Sequence, residues 1–346
     1  MKKMNKILSV MMAAAMTVSM TACGGDTASD NTSASADNSA ATTESAAAGS
    51  TDGQKYTIGI LQQLEHPALD AASHGFEDAL TELLGADNVT FDLQNAQGEQ
   101  TNCTTIATKF VSNDVDLIMA NATTALQAAA AATGDIPIVG TSVTDYKTAG
   151  VVDSNEKPGR NVTGVSDLAP VDQQIQLLMK LVPDTKKVGI VYCSAEPNSA
   201  YQAKLAEAEL DKEGIAWAEF TAADSNEVQS VVTKAVGECD ALYIPTDNTI
   251  ANNTEIVKNV AVPAGIPVVT GEEGMCSGCG LATLSISYYD LGVKAAEMAY
   301  EILTNGADPA QMAIGYVTDG ITEKYNADIA EALNITIPED MVAIEN

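Results

Sequence analysis

The feature that most restricts the fold of this chain is an internal repeat of short apolar runs. TIGIL (57–61), VTFDLQ (89–94), VDLIMA (115–120) and IPIVG (136–140) form one series. KVGIVYC (187–193), IAWAEF (215–220), DALYIP (240–245) and IPVVTG (266–271) form a second. Amphipathic stretches of helical length separate the runs, so the pattern predicts doubly wound parallel sheets with helices on both faces. The series also match in detail. Val115-Asp116-Leu117-Ile118 answers Cys239-Asp240-Ala241-Leu242, and GDIPIV (134–139) answers AGIPVV (264–269). A repeat of this length predicts two similar lobes facing one another rather than one large sheet.

The segments between the lobes read as crossovers. NVTGVS (161–166) leads into a helical pattern at Pro170–Leu181, and LATLSIS (281–287) leads into Tyr288–Leu303. Met312–Val317 precedes a polar, weakly helical tail. The expected division is residues 55–163 plus 286–314 in one lobe and 164–285 plus 315–346 in the other. The three joining strands form a hinge whose closure traps a ligand.

The first strand-to-helix unit, Tyr56–Leu84, shows where such a ligand would sit. An apolar run passes through a polar corner, Gln62–His66, into a helix that starts at Pro67, a residue suited to the first helical position. Leu69, Ala72, Phe76, Leu80 and Leu83 then recur at three- and four-residue steps and face a core. In open parallel sheets ligands bind beyond the carboxyl ends of the strands, so these corners are the functional part.

The chain ahead of the lobes reads as targeting sequence. Lys2, Lys3 and Lys6 precede an apolar stretch, Ile7–Met20, that is too short to span a membrane as a mature helix. Residues 1–23 end in Met20-Thr21-Ala22-Cys23, followed by Gly24-Gly25. This resembles a bacterial lipoprotein signal, in which Cys23 is lipidated and becomes the new N-terminus; an ordinary cleavage site is the alternative. A diacylglyceryl group supplies two chains, enough for stable anchoring. Residues 24–54, rich in Ser, Ala and Thr, lack the apolar surface to fold and predict a flexible tether reaching roughly 30 Å.

Composition excludes several function classes. The chain has 47 acidic and 17 basic residues, a formal net charge of −30. That argues against nucleic acid and against docking on anionic lipid. Only two histidines are present, and no phosphate loop or HExxH pattern appears, so no enzyme, metal or cofactor is expected. Cys276-Ser277-Gly278-Cys279 is half a zinc site at most, in what reads as a Gly-rich loop, and is open to closing as a disulfide or staying reduced. Cys103, Cys193 and Cys239 read as small buried apolar residues.

Seven motifs carry a family resemblance: GILQQLEHPALDAASHGFEDAL (59–80), NAQGEQTN (95–102), NATTALQAA (121–129), TSVTDY (141–146), NVTGVSD (161–167), EPNS (196–199) and TDNT (246–249). With the lipoprotein signal and the paired lobes, the chain resembles the substrate-binding lipoproteins of ABC importers. More narrowly, it is similar to the tryptophan/tyrosine-type (TrpX-like) family, with a departure at Thr124 where relatives often carry proline. The resemblance implies a type I periplasmic-binding-protein fold and an extracytoplasmic, membrane-anchored location. It further implies ABC permease and ATPase partners and an aromatic amino acid as ligand. An extracellular sensor subunit, or import of a sugar or nucleoside-like solute, is the alternative.

Each motif falls at a corner facing the expected cleft. Asn121, Thr123 and Thr124 open a helix whose free N–H groups suit a carboxylate, or one threonine simply caps it. Thr141 and Ser142 either complete that cradle or form a bland loop. In the facing lobe Asn198 and Ser199 start another helix, with Glu196 just before them. Asp247, beside Asn248, is the expected partner of an α-amino group, with capping as the competing account and Glu272 in reserve. Gln62, His66 and Asn95 supply neutral polar groups. Tyr146, Tyr201, Tyr288 and Tyr289 are candidate aromatic walls, and Trp217 a candidate fluorescent reporter of closure.

Overall fold

The structure is a computed structural model describing residues 53–318 and 320–345. The expected signal segment, Cys23 and nearly all of the tether lie outside the described residues.

The first lobe begins with alternating strands and helices: β1 (Tyr56–Gln62), α1 (Pro67–Leu84), β2 (Val89–Asn95), α2 (Gln100–Ser112), β3 (Leu117–Asn121), α3 (Thr123–Ala132), β4 (Ile138–Val143) and β5 (Val162–Ser166). The second lobe follows with α4 (Val171–Leu181), β6 (Lys187–Cys193), α5 (Pro197–Glu213), β7 (Ala216–Ala222), α6 (Val228–Glu238), β8 (Ala241–Ile244), α7 (Asn248–Ala251), α8 (Thr254–Ala261), β9 (Val268–Thr270), α9 (Glu273–Cys279) and β10 (Ala282–Ser285). The chain then returns through α10 (Tyr288–Asn305) and β11 (Gly315–Tyr316), and ends in β12 (Thr322–Tyr325), α11 (Ala327–Leu333) and β13 (Val342–Ala343).

The sheets run β11-β5-β4-β3-β1-β2 and β13-β12-β10-β9-β8-β6-β7. Five consecutive strands in each thus share the order 5-4-3-1-2, which is the repeat seen in the sequence. Strands β3 and β8 are buried at every residue, as parallel strands sandwiched between helix layers must be. In this order the chain reverses direction across the sheet between the first and third strands of each lobe, and the crevice beyond their carboxyl ends is the natural ligand site.

Three connections join the lobes: β5 to α4, β10 to α10, and β11 to β12. The first sheet takes in β5 through Ser166 and β11 at Gly315–Tyr316, a few residues past the expected lobe ends at 163 and 314. Two further expectations are corrected. The tail is not merely a weak helix, because β12 pairs antiparallel with β10 and β13 pairs with β12, extending the second sheet. The CxxC segment is helix rather than loop, its start fixed by Glu272, whose carboxylate accepts from Gly274 N and Met275 N.

Helices α1 and α10 cross at backbone contact. A Cβ on Gly292 would lie 2.0 Å from the Ala72 carbonyl, and one on Gly75 would lie 2.1 Å from that of Tyr289. Only glycine fits either position. This contact ties the returning helix α10 to the first lobe, over a core of Ile58, Phe76, Leu80, Leu117 and Leu291. Fully burying a side chain such as Phe76 stabilises by roughly 1.5–3 kcal/mol.

Candidate functional site

The corners of both lobes meet and the cleft between them is shut. His66 Nε2 lies 3.2 Å from Asn248 Oδ1, and Gln202 Nε2 donates to Thr144 Oγ1 at 3.0 Å. The gap between Thr123, Thr148 and Ala149 of one lobe and Pro197, Asn198 and Tyr201 of the other is only about 10 Å³. Beside the hinge a groove of about 370 Å³, touching Pro67, Glu272, Ser285 and Tyr288, remains open to solvent.

The distinguishing property of this closed cleft is its unpartnered polar atoms. His66 Nδ1, Asn121 Oδ1, Thr141 Oγ1, Ser142 Oγ, Asp167 Oδ1, Asn198 Oδ1 and Thr246 Oγ1 are buried without a hydrogen-bond partner. Five belong to residues at or just past the carboxyl ends of strands, and His66 and Asn198 stand at the starts of the helices that follow β1 and β6. Buried polar groups in folded proteins are normally satisfied, so this concentration marks a surface shaped for a polar guest. It offers both hydroxyl donors and acceptors that carry no proton.

Local backbone geometry aims several of these groups. Strands β4 and β5 lose register between Gly140 and Val143, and Ser142 there takes φ 55°. Such a bulge turns side chains out of the pleat. Ala122, the residue before α3, holds φ 86° and ψ 161° while fully buried. That region is costly for any residue with a Cβ, and such strain collects at ligand sites. Neither Thr123 nor Thr124 caps α3: Ala122 occupies the cap, and the Thr124 amide donates to Gln63 Oε1 at 3.2 Å.

The three acids proposed from sequence are engaged with backbone. Asp247 Oδ2 accepts from Cys193 N at 2.7 Å and its Oδ1 from Ile250 N at 2.8 Å. Glu196 accepts from Asn248 N, Asn248 Nδ2, Thr249 N and Thr249 Oγ1, at 2.7–3.0 Å. Together they lock the β6–α5 corner to the β8–α7 corner and satisfy amides that α7 leaves open. Burial, with the Glu196 carboxylate nearby, pushes Asp247 up to about 8 against those two amide bonds. Glu272, likewise a cap, is pushed by burial to about 7.

The acid with an unused oxygen is Asp167, which the sequence reading missed. It follows β5 at the first hinge connection, 3% exposed, with Oδ2 accepting from Tyr288 OH at 2.9 Å. Burial raises its pKa to about 6, partly opposed by the hydrogen bond from Tyr288. A buried carboxylate with a free oxygen attracts a cation strongly. The available signal was an acid directly after an apolar strand, with Pro170 delaying the next helix so that no cap was needed.

The other expected residues divide. Gln62, Ser73 and Asn121 form one network under α1, in which Ser73 Oγ donates to Gln62 Oε1 and Asn121 Nδ2 to Leu69 O. Ser199 Oγ donates to Thr246 O. Asn95, in register with Gln62 at the carboxyl end of β2, accepts from Gln97 N, and its Nδ2 lies 3.5 Å from Glu65 Oε2. Tyr146 is core, its hydroxyl on Val165 O, and Tyr289 is 43% exposed on Asp78. Tyr201 borders the gap between the lobes, and Tyr288 lines the groove beside the hinge. Trp217 sits at the start of β7, the end away from the cleft, with its indole on Asp211.

Cys103, Cys193, Cys239, Cys276 and Cys279 are free and buried, and burial holds all five thiols above their ordinary pKa. Among the described residues there is no cluster able to hold a metal ion, and no helix long and apolar enough to cross a membrane.

Comparison with known proteins agrees with this geometry. A family model described as ABC transporter substrate binding protein matches residues 57–345. A tyrosine-binding protein of Clostridioides difficile (strain R20291) is 41% identical over 305 residues, covering 87% of this chain and 85% of that one. A solved structure of an ABC domain in complex with L-Trp from Streptococcus pneumonia superposes with a TM-score of 0.80 at 35% identity, over 84% of this chain and 100% of the other. The ligand-free, open structure of a substrate-binding protein with adhesive properties from Clostridium difficile gives 0.66 at 39% identity, over 84% and 99%. The lower score against an open form, despite higher identity, accords with the shut cleft seen here.

Proposed function

Because this chain belongs to the family of ABC transporter substrate-binding proteins, we propose that it captures a free aromatic amino acid between its lobes and delivers it to an ABC importer. The family is one of solute-binding proteins, not enzymes. The observation that carries the ligand assignment is the set of unpartnered cleft atoms, which combines hydroxyl donors with one free carboxylate oxygen. A zwitterion needs both. In this reading the hydroxyls of Thr141, Ser142 and Thr246 donate to the ligand carboxylate. Asp167 Oδ1 accepts from the ammonium group, and Tyr288, hydrogen-bonded to Asp167, holds that carboxylate in place. Tyr201 and Tyr288 supply aromatic walls. Glu196, Asp247 and Glu272 shape the corners without touching the ligand.

Closure is the delivery signal in this account. The bonds His66–Asn248 and Gln202–Thr144 form only when the lobes meet, so a solute that bridges the lobes shifts the population toward the shut form. The lipoprotein signal ending at Cys23 supports anchoring on the outer face of the membrane, with the tether giving the body reach toward a permease.

A thermal-shift screen of the compact unit Ser50–Asn346 against amino acids, sugars and nucleosides tests the assignment. A ligand at 100 times its dissociation constant stabilises by about 2.7 kcal/mol. L-Tyrosine or L-tryptophan is expected to give the largest shift. A shift with a sugar or nucleoside and none with any amino acid would sink the assignment.

A further inference from the structure

We propose that His66 reads the ring of the bound amino acid: its Nδ1 accepts a hydrogen bond from a phenol O–H or an indole N–H, so the cleft selects tyrosine or tryptophan over phenylalanine as it closes. This rests on the aromatic-amino-acid reading of the cleft.

Both oxygens of Glu196 serve as acceptors, Oε2 from Asn248 N and Oε1 from Thr249 N and Thr249 Oγ1. Asn248 Nδ2 donates to Oε2 at 2.7 Å, which fixes the amide with its nitrogen toward Glu196 and its Oδ1 toward His66. A flipped amide would set two acceptors against each other. Facing an oxygen at 3.2 Å, His66 Nε2 must therefore carry the proton. Burial lowers the pKa of His66 below its ordinary 6.5, against the raising effects of Asn248, Glu196 and Asp70, so the ring is neutral and has one proton to place. That proton is on Nε2. Nδ1 is then a bare lone pair, buried and without a partner. Pro67, the next residue, has no N–H to offer it.

Its place across the sheet suits the ring end of an amino acid. At the carboxyl edge of the first sheet the order is β5, β4, β3, β1. Asp167 follows β5 and His66 follows β1, so three strand spacings, about 14 Å, separate the two corners. Thr141 and Ser142, at the end of β4, lie between them and nearer Asp167. With its ammonium at Asp167 and its carboxylate at those hydroxyls, a bound amino acid extends its side chain toward β1. The group it meets there accepts but does not donate. Phenol and indole each carry a donor on the ring; phenylalanine carries none and leaves Nδ1 unpaired, a costly outcome in a closed site.

Titration calorimetry of Ser50–Asn346 with L-tyrosine, L-tryptophan and L-phenylalanine tests this on the unaltered protein. Phenylalanine is expected to bind about tenfold or more weakly than at least one of the other two. His66→Gln places an amide N–H where Nε2–H stood and removes the Nδ1 acceptor. It is expected to narrow that ratio toward one while keeping the contact to Asn248. Long-range ¹⁵N NMR of the two histidines reads the tautomer independently, and His66 is expected as Nε2–H. Equal affinity for all three ligands, a ratio unchanged in His66→Gln, or an Nδ1–H tautomer overturns the inference and leaves the aromatic reading standing. Binding of none of the three overturns both.

Discussion

Replacing Asp167 by asparagine should make this protein more stable and a worse binder at once. The carboxylate is buried and raised to about 6 from the ordinary 3.8. Keeping it ionised at pH 8 therefore costs the unliganded fold on the order of 3 kcal/mol, at 1.36 kcal/mol per pH unit. An amide of the same shape can still accept from Tyr288 and carries no such cost. The melting midpoint of unliganded Asp167→Asn is expected several degrees above wild type at pH 8. That advantage fades as the pH falls through 6 toward 4, where the wild-type carboxyl takes up its proton. Affinity moves the other way. Losing a charge-assisted bond to the ligand ammonium costs about 2–3 kcal/mol, or roughly 30- to 150-fold in dissociation constant. Calorimetric titration with L-tyrosine or L-tryptophan, beside a ligand-free melt, reads both. A residue with only a packing role would lose stability and affinity together. Affinity within threefold of wild type, or a lower ligand-free midpoint, would refute the reasoning.

Other perturbations separate the binding groups from the scaffold. Asp167 must be ionised to hold an ammonium group, so wild-type affinity should weaken by about fivefold between pH 6 and pH 5; a flat profile across that interval counts against it. In the same interval the unliganded protein should melt higher than at pH 8, because Asp167, Glu272 and Asp247 all bind protons more tightly folded than unfolded. Asp247→Ala strips acceptors from Cys193 N and Ile250 N and should cost about 1–3 kcal/mol in urea-unfolding stability; unchanged stability would mean that the carboxylate is not a cap. Thr144→Val removes the acceptor of Gln202, and small-angle scattering of the unliganded variant should show a larger radius of gyration than wild type; identical profiles would show that this bond does not hold the lobes shut.

The fold was legible where its physics is local. Strand β6 coincides with the run KVGIVYC because a parallel strand covered on both faces must be apolar throughout, and α1 begins at Pro67 as the chain suggests. The tail was not, because β12, TEKY, has polar residues that only pairing with β10 and β13 reveals as strand. Helix α9 was hidden for a related reason: its Gly, Ser and Cys residues have weak helical preference, and the cap at Glu272 that starts it is a geometric fact. The site was legible as a set of corners and illegible as a set of roles. Sequence showed acids at 196, 247 and 272 but not whether their lone pairs face amides or a guest. Asp167 stood in plain view within NVTGVSD, and only the hinge geometry leaves one of its oxygens unclaimed.

The claim beneath these expectations is that a zwitterion spans the closed lobes with its ammonium on Asp167. A crystal structure of Ser50–Asn346 grown with L-tyrosine tests it most directly. The account predicts the α-nitrogen within about 3 Å of Asp167 Oδ1, with the carboxylate on the Thr141 and Ser142 hydroxyls. An amino acid lodged instead in the groove beside the hinge, or with its α-nitrogen on Asp247, would contradict it.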